Sequence, residues 1–401
     1  MGTKAWGRLA LFLIGLLWTN FSFAADWYVV PSINARTEYN SNLNLDFSEP
    51  LRDVIFTASP VADFSYATEA LNLQGRLGLT GLKYVTNTGY DHIDQNYQIN
   101  GQYLPSARWK LFLNSAFMVD STQQEELLVS GLVITRTPRQ SFRIGPGFSY
   151  NVTERLMATC NYGFYTVKYQ DPNLQNYTSH SLNLSLSYPL KDEKTTLSGN
   201  VAGQETSYSS VDNTYRSLTM FLGVNHKFSE VWEANIAGGL SISFIDSVTQ
   251  VASSPQLNFV TIPEARIKDT TLSPYISASV TRRWTNLVIT GGYSRNQSGS
   301  AFGSVSDVNQ IFLNLSYAFT ERLAGSLTGN YSLTNQLSQE NSFQNDFFSI
   351  SPQLTYRITE NLSMSPGYRF SQRDDISNSQ SAHVHNVWLM FTYSYPIHYQ
   401  K

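Results

Sequence analysis

The chain has 401 residues, of which 14% are charged and 13% aromatic, and a formal net charge of −3. No basic block accompanies that balance, which argues against a nucleic-acid partner. The one cysteine, Cys160, rules out an internal disulfide and a thiolate metal cluster, and there is no Cys-x-x-Cys-His to attach haem.

At the N-terminus Lys4 and Arg8 precede an apolar run from Leu9 to Leu17, and the small residues Ser22 and Ala24 follow two apart. This is the order of a secretory signal peptide. The run is shorter than the roughly 20 residues a membrane-spanning helix needs. Cleavage after Ala24 is expected, with residues 1–24 as signal and 25–401 as one exported domain.

The rest of the chain alternates. Leu71, Leu73, Gly75, Leu77 and Leu79 interleave with Asn72, Gln74, Arg76, Gly78 and Thr80. Ile93, Tyr97, Ile99 and Tyr103 interleave with Asp94, Asn96, Gln98, Asn100 and Gln102. Trp232, Ala234, Ile236, Gly238, Leu240, Ile242 and Phe244 do the same against Glu233, Asn235, Ala237, Gly239, Ser241 and Ser243. Residues Ile311 to Phe319 repeat the pattern, with Phe312 out of phase. A period of two is a β-strand whose faces meet different surroundings. These strands run to about a dozen residues, twice the usual soluble length of about five or six. Their polar face is Asn, Gln, Ser, Thr and Gly, and aromatics collect at their ends as in membrane-interface girdles. The expected fold is all-β: a transmembrane up-and-down antiparallel barrel, since only closure pairs every backbone group in lipid.

A short pattern punctuates the strands. It reads "YATEAL" (66–71), "YNVTERL" (150–156), "HKFSEVW" (226–232), "TRRWTNL" (281–287), "YAFTERL" (317–323) and "YRITENL" (356–362), with turn residues also in "YLPSARW" (103–109) and "YPLKDEK" (188–194). Its spacing of roughly 40 residues fits two strands, one long loop and one tight turn. Eight such turns predict 18 strands, with 16 or 20 as alternatives if a hairpin is miscounted. The predicted spans are 27–40, 54–66, 70–84, 92–104, 108–120, 139–151, 155–169, 177–190, 194–206, 214–228, 231–246, 271–284, 287–296, 308–319, 322–335, 345–358, 361–372 and 383–395. Short turns belong on the periplasmic side of such barrels and long loops outside, so both termini are expected in the periplasm of a bacterial outer membrane.

Pro60, Pro146, Pro274 and Pro352 fall on the apolar face of returning strands. They predict either local bulges or strands that end early. Loops 121–138 and 247–270 each hold an apolar stretch, "LLVSGLVI" and "LNFVTI". Each could constrict the lumen, pack on a neighbouring loop or extend the strands as a hairpin. In the last strand, Val387, Leu389, Phe391, Tyr393 and Tyr395 resemble the C-terminal signal read by the barrel assembly machinery, a partner this implies together with the lipid bilayer. "PIHYQK" follows, so the final aromatic is not terminal.

"ARTEYNSNLNLD" (35–46), "ISPQLTYRITENLSMSPGYRF" (350–370) and the Thr-Glu turns resemble the beta-barrel porin 2 family. The resemblance implies a Gram-negative outer-membrane barrel of the exopolysaccharide- or biofilm-associated type, with no catalytic residues and no cofactor.

An eighteen-stranded barrel is wide enough for an aqueous channel. The register puts Arg36, Arg76, Lys110, Arg143, Glu233, Arg283, Arg357 and Arg369 on the lumen face, with Glu38, Asp63 and Asp94. The basic excess favours small anionic solutes unless these groups pair and merely brace the wall. Inward Tyr28, Tyr275, Phe312 and Trp388 among amides suit a polysaccharide or simply fill space. The expected function is a porin passing small solutes or polysaccharide. The alternatives are a sheath for an exported polymer or periplasmic partner, and a hydrolase. No Gly-x-Ser-x-Gly or His-Glu-x-x-His supports an enzyme. His383 and His385 share a strand face, and their place near the terminus suits the rim better than a metal site.

Overall fold

The computed structural model describes residues 26–121, 136–209, 213–250, 264–299, 305–336 and 344–400. The segment 1–24 expected to be a signal peptide and most of loop 121–138 lie outside these residues. The wall has eighteen antiparallel strands: β1 (Asp26–Asn40), β2 (Asp53–Ala67), β3 (Leu71–Tyr84), β4 (His92–Ser106), β5 (Trp109–Ser121), β6 (Pro138–Asn151), β7 (Met157–Tyr169), β8 (Tyr177–Pro189), β9 (Thr195–Tyr208), β10 (Thr214–Lys227), β11 (Trp232–Gln250), β12 (Glu264–Arg283), β13 (Leu287–Gly299), β14 (Val305–Ala318), β15 (Leu323–Gln336), β16 (Gln344–Arg357), β17 (Leu362–Asp375) and β18 (Gln380–Ser394). Each pairs with its sequence neighbours, and β1 closes on β18 from Ser32 opposite Ser394 to Asn40 opposite Asn386. A nineteenth, short strand, β19 (Ile397–Gln400), follows Pro396 and pairs with Asp26–Val29. The residues after the aromatic-ended strand thus continue the closing seam.

The alternation is the cause of the barrel's two faces. Along the apolar register Leu222 is 75% exposed to the exterior, Ile93 64% and Ile236 62%, so no protein layer covers this band. An exposed apolar surface that encircles a closed sheet is the outer face of a transmembrane barrel. At the end with the short turns the band is edged by outward aromatics. Trp27 packs on Tyr66 and Trp109 on Tyr150, each at 4.6 Å between rings, and Tyr317 on Phe319 at 4.7 Å. Arg282 lies with its guanidinium 4.6 Å from the Trp232 ring and 3.9 Å from Trp284, a cation held between two rings at this edge.

The recurring turn has a hydrogen-bond explanation. Thr68, Thr153, Thr320 and Thr359 each accept, through Oγ1, the backbone N–H three residues on, at 3.0, 2.9, 3.0 and 3.1 Å. Ser229 and Asp192 do the same for Trp232 and Thr195. A hydroxyl or carboxylate at that position replaces a ladder bond at the reversal, which is why the motif begins with Thr, Ser or Asp.

The prolines correct one expectation. All four lie inside strands and none produces a bulge. Pro60, Pro146, Pro274 and Pro352 pair normally with the preceding strand, opposite Ile33, Leu113, Leu240 and Leu327. Toward the following strand the ladder skips two pairs at Pro60, Pro146 and Pro352 and resumes in the same register. At Pro274 the ladder to β13 starts only at Ile276. The missing N–H therefore costs one side of the ladder without adding a residue. The register does shift between Tyr103 and Ser106, beside Pro105.

The hairpin of β11 and β12 corrects another boundary. The ladder runs on to Gln250 opposite Glu264, so loop 247–270 begins as an extended hairpin, its tip outside the described residues. Beyond Phe244 the apolar alternation that marks a membrane strand stops, while backbone pairing continues.

The two faces can be checked directly. In a Cys160→Ser background, a cysteine at Asn314 should react fast with a water-soluble thiol reagent in intact membranes, while one at Leu313 should be protected. Equal labelling would contradict the register.

Candidate functional site

Following the ladders around the barrel, Arg36, Arg76, Lys110, Arg143, Glu233, Arg283, Arg357 and Arg369 all fall on the register opposite the apolar band. Arg76 lies across from Asp63, Ala116 from Arg143, Arg36 from Thr57 and Arg369 from Asn386. Ladder geometry does not bring the eight together at one point. Lys110, Glu233, Arg283 and Arg357 lie within two residues of short turns, and the other four lie higher on their strands.

Half of these groups are paired. Arg36 contacts Glu38 on its own strand, and Asn386 Nδ2 donates to Glu38 at 2.7 Å. Arg76 forks onto both oxygens of Asp63 at 2.6 and 3.0 Å. Arg283 donates to Glu233 at 3.0 Å, and Asn225 shares that carboxylate at 3.0 Å. His92 Nε2 lies 3.1 Å from Asp94. Among the described residues Lys110, Arg143, Arg357 and Arg369 have no acidic partner at salt-bridge distance. Glu38, Asp63, Asp94 and Glu233 each have a basic neighbour, and Asp53, inward opposite Asn40, is held instead by the backbone N–H groups of Val54, Thr86 and Asn87, so among these groups the unpaired charges are mostly positive. The sequence reading missed Arg139, a buried inward arginine that donates to Asp120 at 2.9 and 2.7 Å.

The inward aromatics lie flat. Phe112, Phe312 and Trp388 sit opposite Gly147, Gly292 and Gly367 on the adjoining strand. Each ring covers its glycine so closely that a Cβ there would collide with it. Tyr275 stacks on Phe221 at 4.5 Å, and Tyr28 falls on the same inward register near the short-turn end. Arg36 lies 4.5 Å and Arg369 5.8 Å from the Trp388 ring. Rings laid on the wall leave the bore open where upright rings would fill it.

The second structural element of the lumen is the loop 41–52, which the sequence reading did not single out as a constriction. It folds inward and rests on the inner wall. Leu43 is fully buried against Ile55 and Tyr84, and Leu45 packs on Phe347, Ala382 and Val384. Arg136, from the end of loop 121–138, donates to the Leu43 carbonyl at 3.0 Å and to the Tyr84 hydroxyl. Arg373 lies 4.7 Å from the Phe47 ring. Leu45 has φ of 50°, a strained position for a branched side chain. Asn42 holds that bend: its Oδ1 accepts from Asp46 N at 3.0 Å and its Nδ2 donates to the Asp46 carbonyl at 2.9 Å. Two leucines in the otherwise polar stretch "SNLNLD" (41–46) were the available signal.

His383 and His385 lie on the outward register near the start of β18 with rings 5.6 Å apart, and His385 Nδ1 shares a hydrogen bond of 2.8 Å with Tyr368 Oη. Among the described residues no three His, Cys, Asp or Glu side chains converge on one point.

The fold and this lined interior define the class: a transmembrane β-barrel with a polar bore and an inward-folded loop. No family model matches the sequence, and no curated protein matches it. Among solved structures it is similar to Acinetobacter baumannii OccAB3, at 13% identity over 93% of this chain and 99% of that one, with a TM-score of 0.48. It is also similar to the outer membrane protein OpdK of Pseudomonas aeruginosa (10% identity, 93% and 99% coverage, TM-score 0.49). A third is OccK2 (OpdF) of the same organism, solved with glucuronate (11%, 93% and 98%, 0.47). These likenesses add nothing to what the strand register itself establishes.

Two outcomes follow from this geometry. Gly367→Val should force the Trp388 ring off the wall and destabilise the barrel by about 1–3 kcal/mol, read by urea unfolding in lipid vesicles. The backbone N–H groups of Glu49 and Ser48, aimed at its carboxylate, hold Asp46 below the ordinary carboxylate range. A lowered folded pKa means that this support is present above the ordinary range and is lost only as the pH falls through the lowered value. A spin label at Glu49 should therefore stay immobile from neutral pH down through the ordinary carboxylate range and loosen below it. Asp46→Ala should free it at neutral pH.

Proposed function

We propose that this protein is an outer-membrane channel that passes small solutes with a preference for anions. The observation that carries the reading is the imbalance on the bore: Glu38, Asp63, Asp94 and Glu233 each have a basic partner, while Lys110, Arg143, Arg357 and Arg369 have no acidic one. An unpaired cation on a low-dielectric wall attracts anions and repels cations along the whole passage. In this reading the short turns and both termini face the periplasm and loop 41–52 narrows the outer mouth. The outward stripe of β18 would be read by the barrel assembly machinery.

The finer identity, a barrel of the porin 2 type serving an exopolysaccharide, rests on the quoted sequence stretches. A sheath around such a polymer is the second reading. It is favoured by the long arc from β7 to β10, whose mid-strand inward positions, Asn161, Asn183, Asn200, Thr219 and Phe221 among them, carry no charge, a surface along which a neutral polymer could slide.

Reversal potentials across planar bilayers in a salt gradient test the proposal. The wild-type barrel should conduct and favour chloride over potassium. Arg143→Glu with Arg369→Glu should lower that preference by about fivefold or more, since two attractive charges become repulsive. A conducting barrel indifferent to the double substitution would sink the anion preference, and a silent barrel would favour the sheath.

A further inference from the structure

On the inner wall near the short-turn end, β3, β4 and β5 bring together five carboxamides: Asn72, Gln74, Asn100, Gln102 and Asn114. Asn72 lies opposite Gln102, Gln74 opposite Asn100, and Asn100 opposite Asn114. They line a concavity of about 390 Å³ together with Lys110. The two rows span roughly 10 Å across three strands and about 7 Å along them, the footprint of one or two pyranose rings.

None of the five amides makes a side-chain hydrogen bond, although other inward amides do. Asn386 is committed to Glu38 at 2.7 Å, Asn225 to Glu233 at 3.0 Å and Gln98 to Asn96 at 2.9 Å. A carboxamide offers two donors and an acceptor with two lone pairs, so each can meet a vicinal pair of hydroxyls, one donating and one accepting. Phe112, laid over Gly147 at the edge of the concavity, presents a flat apolar face. Lys110, without an acidic partner, adds one positive charge at the same rim.

We propose that this patch is a saccharide-binding subsite that prefers sugars carrying a carboxylate. Ring hydroxyls exchange water for the five amides, the apolar face of the ring rests on Phe112, and the carboxylate pairs with Lys110. The proposal deepens the channel reading by naming a class of solute and a place where it pauses. It follows that the patch gives selectivity among anions, which unpaired wall charges alone do not.

Equilibrium dialysis of the solubilised full-length barrel tests it, because binding is read without any ion flow. The probes are radiolabelled D-galacturonate, D-galactose and acetate. Galacturonate should bind several-fold more tightly than galactose, and acetate should not bind detectably. Asn100→Leu with Asn114→Leu should weaken galacturonate by about tenfold, two lost hydrogen bonds' worth. Lys110→Gln, a smaller change that keeps the wall polar, should bring galacturonate down to the level of galactose and leave galactose unchanged. Asn200→Leu on the far wall should alter neither. Acetate binding as well as galacturonate, or insensitivity to both sets of substitutions, overturns the subsite. A barrel that conducts but binds no sugar removes the subsite and keeps the channel. One that binds sugar but carries no current keeps the subsite and removes the channel.

Discussion

The structure depends on the ladder between β1 and β18. Backbone N–H and C=O groups facing lipid find no water, so an open sheet edge would leave a row of them unmet. Closure removes the edge, and it imposes a condition on every other strand. Each pairing hands its in-or-out phase to the next, and after eighteen steps the phase must agree with itself. A single inserted residue would turn a strand's lipid face into the bore. The prolines respect this: their ladders lose pairs and keep count. Asn40 opposite Asn386, both inward, is where the circuit meets itself.

That condition explains which parts of the molecule could be read from the chain. Period two and the Thr, Ser or Asp at each tight reversal are local, and they are written out strand by strand. Thr153 finds its partner at Leu156 and Thr359 at Leu362, three residues away. Strand number and the inward face of Arg76 or Arg283 came from such local marks. The loop 41–52 was opaque because its partners are remote. Leu45 rests on Phe347 and Val384, and Asn42 reaches the His383 carbonyl at 3.4 Å. Nothing within a few residues of the loop records that β18 will stand beside β1. Charge pairing was legible only as far as the face. That Arg36 takes Glu38 on its own strand while Arg76 reaches across to Asp63 is settled by side-chain geometry.

The bore is uneven around its circumference. Its charges above the short-turn rim are densest from β17 through β1 to β6, the side on which loop 41–52 also rests, while Asp269 on β12 and the Arg295–Asp307 pair beside the inward Ser273 lie outside that arc. The arc from β7 to β10 carries no inward charge at mid-strand, and its hydroxyls and amides bond to one another, as Ser179, Gln204 and Thr206 do. An uneven distribution of charge around the bore sets a transverse field, which turns a solute with one ionised group as well as attracting it. The flattened rings of Phe112, Phe312 and Trp388 keep that field from being blocked by bulk.

The outer surface shows how the prolines are tolerated. Beside Pro146 and Pro352 the same group of side chains recurs ten strands apart. Phe142 with Phe164 and Phe348 with Phe370 are each 6.3 Å between rings. Phe164 lies 5.2 Å from His180, and Phe370 lies 5.2 Å from His385. Tyr162 Oη bonds His180 Nδ1 at 2.7 Å, and Tyr368 Oη bonds His385 Nδ1 at 2.8 Å. By the conserved count of the ladder, Tyr162 and Tyr368 are the residues across from the two prolines, where a carbonyl has lost its donor. A bare carbonyl in hydrocarbon is costly. A tyrosine tied down by its hydroxyl to a histidine one strand further on keeps a large ring over that gap, and the phenylalanines close the remaining side. Pro60, opposite the aliphatic Leu79, meets the same need with bulk alone, which places the Tyr–His tie as an added restraint on ring position rather than a requirement of the ladder.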